Sequence, residues 1–69
     1  MRYILKKESS DLIKKKYKNS YFVKNLDRTD TYISLIINRK KEIPKHMALA
    51  FVKTLDNNAE IEDIFDEVK

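Results

Sequence analysis

The chain has no cysteine, no glycine and no tryptophan, and only one proline and one histidine. Without cysteine there is no disulfide to staple the fold and no thiolate to bind a metal or attack a substrate. With His46 alone, a zinc site would have to lean on carboxylates. Without glycine, turns that demand a positive φ fall to Asn or Asp, which visit the left-handed region at a cost. A β-sandwich or barrel, with its many tight turns, is a poor fit to such a composition. No apolar run approaches the roughly 20 residues of a bilayer span. Met1-Arg2-Tyr3-Ile4-Leu5-Lys6-Lys7 is too short and too charged for a secretion signal. The expected location is the cytoplasm, with no membrane partner.

Sixty-nine residues allow one domain, 1–69, with one modest core. A chain this short usually relies on disulfides, a metal or very good helix packing. Helix packing remains, helped by dimerisation. Lys, Glu, Leu, Ile and Ala at helical spacing predict an all-α domain of five short helices.

The net charge of +4 conceals a split. Residues 1–53 carry fourteen Lys/Arg against five Asp/Glu, a balance of +9. Residues 54–69 carry Lys69 against Asp56, Glu60, Glu62, Asp63, Asp66 and Glu67, a balance of −5. A polyanion is drawn to the first three-quarters of the chain and repelled by the rest.

Ser9, Ser10 and Asp11 offer N-caps for a first helix to Tyr17, with Leu12, Ile13 and Tyr17 on its inner face and Lys14, Lys15 and Lys16 outside. Before it, Tyr3-Ile4-Leu5 reads either as a short extended arm or as an earlier start of that helix. Asn19 or Ser20 caps a second helix with Phe22, Val23 and Leu26 inward. Asp27-Arg28-Thr29 interrupts. Thr29 caps a third helix, Asp30 in its first turn favours the helix dipole, and Ile33, Ile36 and Ile37 face inward. Asn38 to Glu42 is a polar loop. Ile43-Pro44 opens a fourth helix with Ala48, Phe51, Val52 and Leu55 as its core side, and Asp56-Asn57-Asn58 ends it. Ile61, Ile64, Phe65 and Val68, at i, i+3, i+4 and i+7, predict a fifth helix. Its stripe closes the domain's own core, or in part makes a dimer.

Two short helices joined by about three residues, the second opening with Thr, outline a helix-turn-helix over 19–38. In that arrangement the first helix braces the second, which offers its N-terminal polar residues to a DNA major groove. The residues resemble the Xre and lambda-repressor/Cro-like family. Phe22-Val23 stand at its Leu-Ala pair, Leu26-Asp27 at its Leu-Gly, and Thr29 at its Ser/Thr cap. Ile33-Ser34-Leu35-Ile36-Ile37-Asn38-Arg39-Lys40 stand at its Ile-Ser-x-Ile-x-Asn-Gly-Lys stretch, and Pro44 follows. The likeness covers about residues 9–68. The departures are Val23 for alanine and Asp27 and Arg39 for two glycines.

The resemblance implies a sequence-specific transcriptional regulator, Cro-like or repressor-like, of a phage or other mobile element, with no cofactor and no enzymatic activity. It implies base contacts from Asp30, Thr31, Ser34 and Leu35, where hydroxyls donate or accept, leucine meets a thymine methyl and Asp30 accepts from a cytosine amine. It implies phosphate contacts from Asn19, Arg28, Tyr32, Asn38, Arg39, Lys40, Lys41 and Lys45. A homodimer on a near-palindromic double-stranded operator would set two half-sites roughly 34 Å apart. Each residue also has a plain reading. Asp30 stabilises a helix start with no DNA present, Tyr32 covers the edge of the core, and residues 39–41 form a solvated loop. His46 is a surface histidine, and Glu62, Asp63, Asp66 and Glu67 form a solvated acidic face. The rival function is a protein-interaction module, an antirepressor or antitoxin-like partner of another regulator, which Asp30 and Leu35 on the reading face keep open. An RNA-binding role fits the charge but lacks an aromatic stacking platform.

Overall fold

The computed structural model describes residues 1–69. The element order is β1 (Arg2–Leu5), α1 (Lys7–Lys16), α2 (Asn19–Leu26), α3 (Asp30–Ile37), β2 (Ile43–Pro44), α4 (Lys45–Leu55), α5 (Ile61–Ile64) and β3 (Phe65–Val68). Five helices are present, but the domain is not all-α. The three strands form an antiparallel sheet in the order β2-β1-β3. β1 is central: Arg2 pairs with Pro44 on one side and with Val68 on the other, and Leu5 with Phe65. No helix is long and apolar enough to cross a membrane.

The strands explain where the helical reading failed. Tyr3-Ile4-Leu5 is an extended arm, and it is built into the sheet, with Tyr3 and Leu5 buried. Ile43-Pro44 does not open α4. It is a short edge strand, where proline's missing N–H costs no ladder bond, and Pro44 then serves as the N-cap. The Ile61-to-Val68 stripe divides. α5 stops at Ile64 and Phe65 turns extended, so that Phe65–Val68 can satisfy the open edge of β1. Ile61 and Phe65 enter the core and Val68 is half-buried. The stripe thus closes this domain's own interior.

α1 begins at Lys7, before the expected caps. Lys6 is the N-cap, and Ser9 and Ser10 lie inside the helix and are buried. The Ser10 hydroxyl donates to the carbonyl of Ile37, one of the last carbonyls of α3, which has no helical partner of its own. Leu12, expected inside with Ile13 and Tyr17, is 51% exposed. α2 starts at Asn19 with Lys18 as N-cap and no side-chain cap, so neither Asn19 nor Ser20 plays the expected part.

Fourteen buried apolar residues form one cluster. α2 supplies Phe22; α3 supplies Ile33, Ile36 and Ile37; α4 supplies Met47, Ala48, Phe51 and Val52. Phe22 stacks on Phe51 with ring centres 4.6 Å apart, and Phe51 meets Phe65 edge-on at 5.6 Å. No buried side-chain nitrogen or oxygen lacks a partner.

The Ser10 bond yields a test. Ser10→Ala leaves the Ile37 carbonyl unpaired in a dry place, which costs about 1–3 kcal/mol. Chemical denaturation should show that loss with an unchanged m-value, while Ser20→Ala, at an exposed position, stays within about 0.5 kcal/mol of the parent.

Candidate nucleic-acid interface

α2 and α3 are joined by Asp27, Arg28 and Thr29. Asp27 adopts the left-handed conformation, φ 54° and ψ 48°, that the glycine-free turn requires. Asp reaches it more readily than most residues because its short side chain bonds locally. Thr29 then caps α3 by accepting from the Tyr32 N–H at 3.2 Å. Because Ile33, Ile36 and Ile37 are committed to the core, helical geometry turns Thr31 and Leu35 outward, while Asp30, on the flank of the isoleucine stripe, is exposed because it opens the helix. Ser34 is half-buried. Its carbonyl and Oγ accept from Asn38 Nδ2 at 2.8 and 3.2 Å, so its hydroxyl keeps its own proton free to donate.

The end of α3 is closed by paired backbone bonds. The Arg39 N–H donates to the Ile36 carbonyl at 3.1 Å and the Lys40 N–H to the Leu35 carbonyl at 2.9 Å. This is the two-bond pattern that needs a left-handed residue after the cap, and Arg39 has φ 60°. The residue is an arginine because its side chain does something glycine cannot. Arg39 Nε donates to the Leu5 carbonyl at 2.9 Å, tying the loop to the central strand. Of the expected phosphate ligands, Arg39 is therefore already engaged within the fold.

The other cations are arranged around one ring. Arg28 lies 5.7 Å and Lys41 5.5 Å from the centre of Tyr32, which is half-buried against the core. Tyr32 thus gathers, at one place, charges from before and after α3. Arg28 also approaches the Met47 sulfur at 3.6 Å. Asn38, Lys40 and Lys45 are exposed, and Asn19 is half-buried at the start of α2.

Sequence reasoning did not single out the corner between α1 and α2. There Lys16, Lys18, Ser20 and Lys24 surround the rings of Tyr17 and Tyr21, lining an open depression of about 470 Å³. The two rings are 5.2 Å apart, and the Tyr21 hydroxyl donates to the Thr54 carbonyl. The alternation of lysine with tyrosine over 16–24 was the available signal. The corner adjoins Asn19 and extends the cationic surface along α2.

No group of three or more His, Asp or Glu side chains is placed to hold a metal ion. His46 is exposed in the first turn of α4. Asp56, Glu60, Glu62, Asp63, Asp66 and Glu67 are exposed on the α4–α5 connection, α5 and β3, and none lies on α2 or α3. Comparison of the chain with known protein families, with curated proteins and with solved structures found no match.

Arg39 supports a prediction that inverts the usual order of substitutions. Arg39→Ala loses the bond to Leu5 and keeps the left-handed strain, whereas Arg39→Gly loses the bond and relieves the strain. The glycine variant should be the more stable of the two by about 1 kcal/mol, read as midpoints of thermal unfolding. At ordinary exposed helical sites alanine is the more stable.

Proposed function

We propose that the chain is a double-stranded-DNA-binding transcriptional regulator in which α2 and α3 act as a helix-turn-helix and α3 enters the major groove. The observation that carries this reading is the outward face of α3. Asp30, Thr31 and Leu35 are exposed and Ser34 keeps a free donor, on a helix held from behind by buried isoleucines and flanked by the Arg28–Tyr32–Lys41 cluster and Lys40. A major groove about 12 Å wide admits one helix, and hydroxyls, a carboxylate and a branched apolar tip are groups that discriminate base edges. Lys40, Lys45 and the cluster over Tyr32 meet phosphate, which sets register without reading sequence. The basic corner at Lys16, Lys18 and Lys24 lengthens that contact along the backbone. The acidic end of the chain stays clear of the duplex because polyanion repels it.

Leu35, 36% exposed at the centre of the reading face, favours a second reading, in which α3 docks on another regulator. Selection of bound sites from random duplex DNA separates the two. An enriched consensus supports the regulator; recovery no better than random supports the protein-docking role.

On the enriched site, Thr31→Ala with Ser34→Ala should relax preference at the bases they meet by about 1–3 kcal/mol. Lys40→Ala should weaken all sequences alike and lower the slope of log affinity against log salt by about one. Titrations by fluorescence anisotropy from low to physiological salt give both quantities. Unchanged affinity and specificity in the double variant would refute the assignment of α3 as reader.

A further inference from the structure

Leu12 is unexplained by the fold. It sits in the middle of α1, is 51% exposed, and lines a groove of about 190 Å³ whose walls are mostly apolar, from Ile13, Tyr17, Leu55, Ala59 and Ile64, and also include Ser9, Lys16 and Asp56. A leucine in that position is wetted on one side and sits over half-buried apolar groups on the other. The charges around it supply the rest of the argument. Glu8 lies four residues before Leu12 and Lys16 four residues after, and helical spacing puts all three on one exposed stripe. The one ion pair in the structure joins Lys6 to Asp66. Glu8 and Lys16 therefore form no ion pair within the chain, although Asp56 lines the same groove as Lys16.

We infer that this stripe is a self-association surface, on which a second copy of the chain lays its own α1 antiparallel about a two-fold axis at Leu12. The stripe is self-complementary in the way such an axis demands. Leu12 meets the partner's Leu12 over the mouths of the two grooves. Glu8 meets the partner's Lys16, and Lys16 the partner's Glu8. The antiparallel sense follows from charge as well. Lys14, Lys15 and Lys16 crowd the end of α1. A parallel pair stacks those clusters on each other, and an antiparallel pair sets them at opposite ends. Lys16 is taken up by the pairing, while Lys14, Lys15 and, in the corner beyond, Lys18 and Lys24 remain open. The contact is small beside the roughly 1,200 Å² or more that specific stable interfaces bury, so association is weak and reversible. Nothing in it depends on DNA binding, and its test contains no nucleic acid.

Sedimentation equilibrium of the full chain from about 10 μM to 1 mM tests it. The parent should pass from 8.3 kDa towards twice that mass. Glu8→Lys and Lys16→Glu, each alone, oppose like charges across the axis and should weaken the dimer about tenfold or more. Mixed together, the two single variants should associate with each other. The lysine introduced in one then faces the glutamate introduced in the other, and the unaltered Lys16 of the first faces the unaltered Glu8 of the second. The double variant carrying both changes should regain the parental constant. Leu12→Asp should be monomeric throughout, with its circular dichroism and unfolding midpoint confirming an intact fold at this exposed position. A parent chain that remains monomeric at 1 mM overturns the proposal. So does a dimer indifferent to the single reversals, or a mixture of the two that fails to associate.

Discussion

Three phenylalanine rings set the relative positions of elements that are far apart in the chain. Phe22 on α2 lies flat on Phe51 of α4, and Phe51 and Phe65 of β3 meet edge to face. All three are buried. Aromatic pairs in these geometries add about 0.5–1.5 kcal/mol each beyond the area they bury. More important here is that a flat stack tolerates little sliding. α2 is held at Phe22 by the core, and α3 is held by Ile33, Ile36 and Ile37. The turn between them has only to connect two helices already placed. That is why a left-handed Asp27 suffices where glycine would be easier.

The helices were legible because their apolar residues recur three or four apart: Ile13 and Tyr17, Phe22 and Leu26, Ile33 with Ile36 and Ile37, and Ala48 with Phe51, Val52 and Leu55. Thr29 announced the start of α3 with its side chain, and Asp56-Asn57-Asn58 the end of α4, where the Asn58 N–H bonds the Asp56 carboxylate. Of the strands only β1 showed, as the extended reading of Tyr3-Ile4-Leu5, and the sheet itself was not legible. The strands are two to four residues long, too short for a period-two pattern to declare itself. The partners of β1 lie far along the chain, at Ile43-Pro44 and at Phe65–Val68. The segment 61–68 misled for a definite reason. Its spacing fits one helical face, yet the open side of β1 offers backbone bonds that a fifth helix of that length would have declined. Ser9 and Ser10 misled likewise. Serine before an apolar pair reads as a cap, but tertiary packing used the Ser10 hydroxyl to close α3.

The site was legible in its framework more than in its use of charge. Thr31 and Leu35 are outward as helical spacing requires, and the two glycine-like positions, Asp27 and Arg39, are the two residues with positive φ. What spacing cannot show is where a long cationic side chain goes. Arg39 turns inward to a strand carbonyl, while Arg28 and Lys41, from before and after α3 in the chain, converge on one ring. The cluster at Lys16, Lys18 and Lys24 is gathered where α1 passes into α2.

The pairing of Arg2 with Val68 makes the domain a nearly closed ring of chain. Helices α1 to α4 are made of local bonds and can form in any order. The sheet cannot be completed until the two ends of the chain meet, at an entropic cost that grows with the logarithm of the intervening length. Topology therefore predicts that β3 docks on β1 late in assembly, after the helices. The same closure means that a peptide linking the two ends would span only a short gap. The domain could be reopened at the exposed Asn57-Asn58 turn, and such a permuted chain would keep every helix and strand while shifting the late event to another joint.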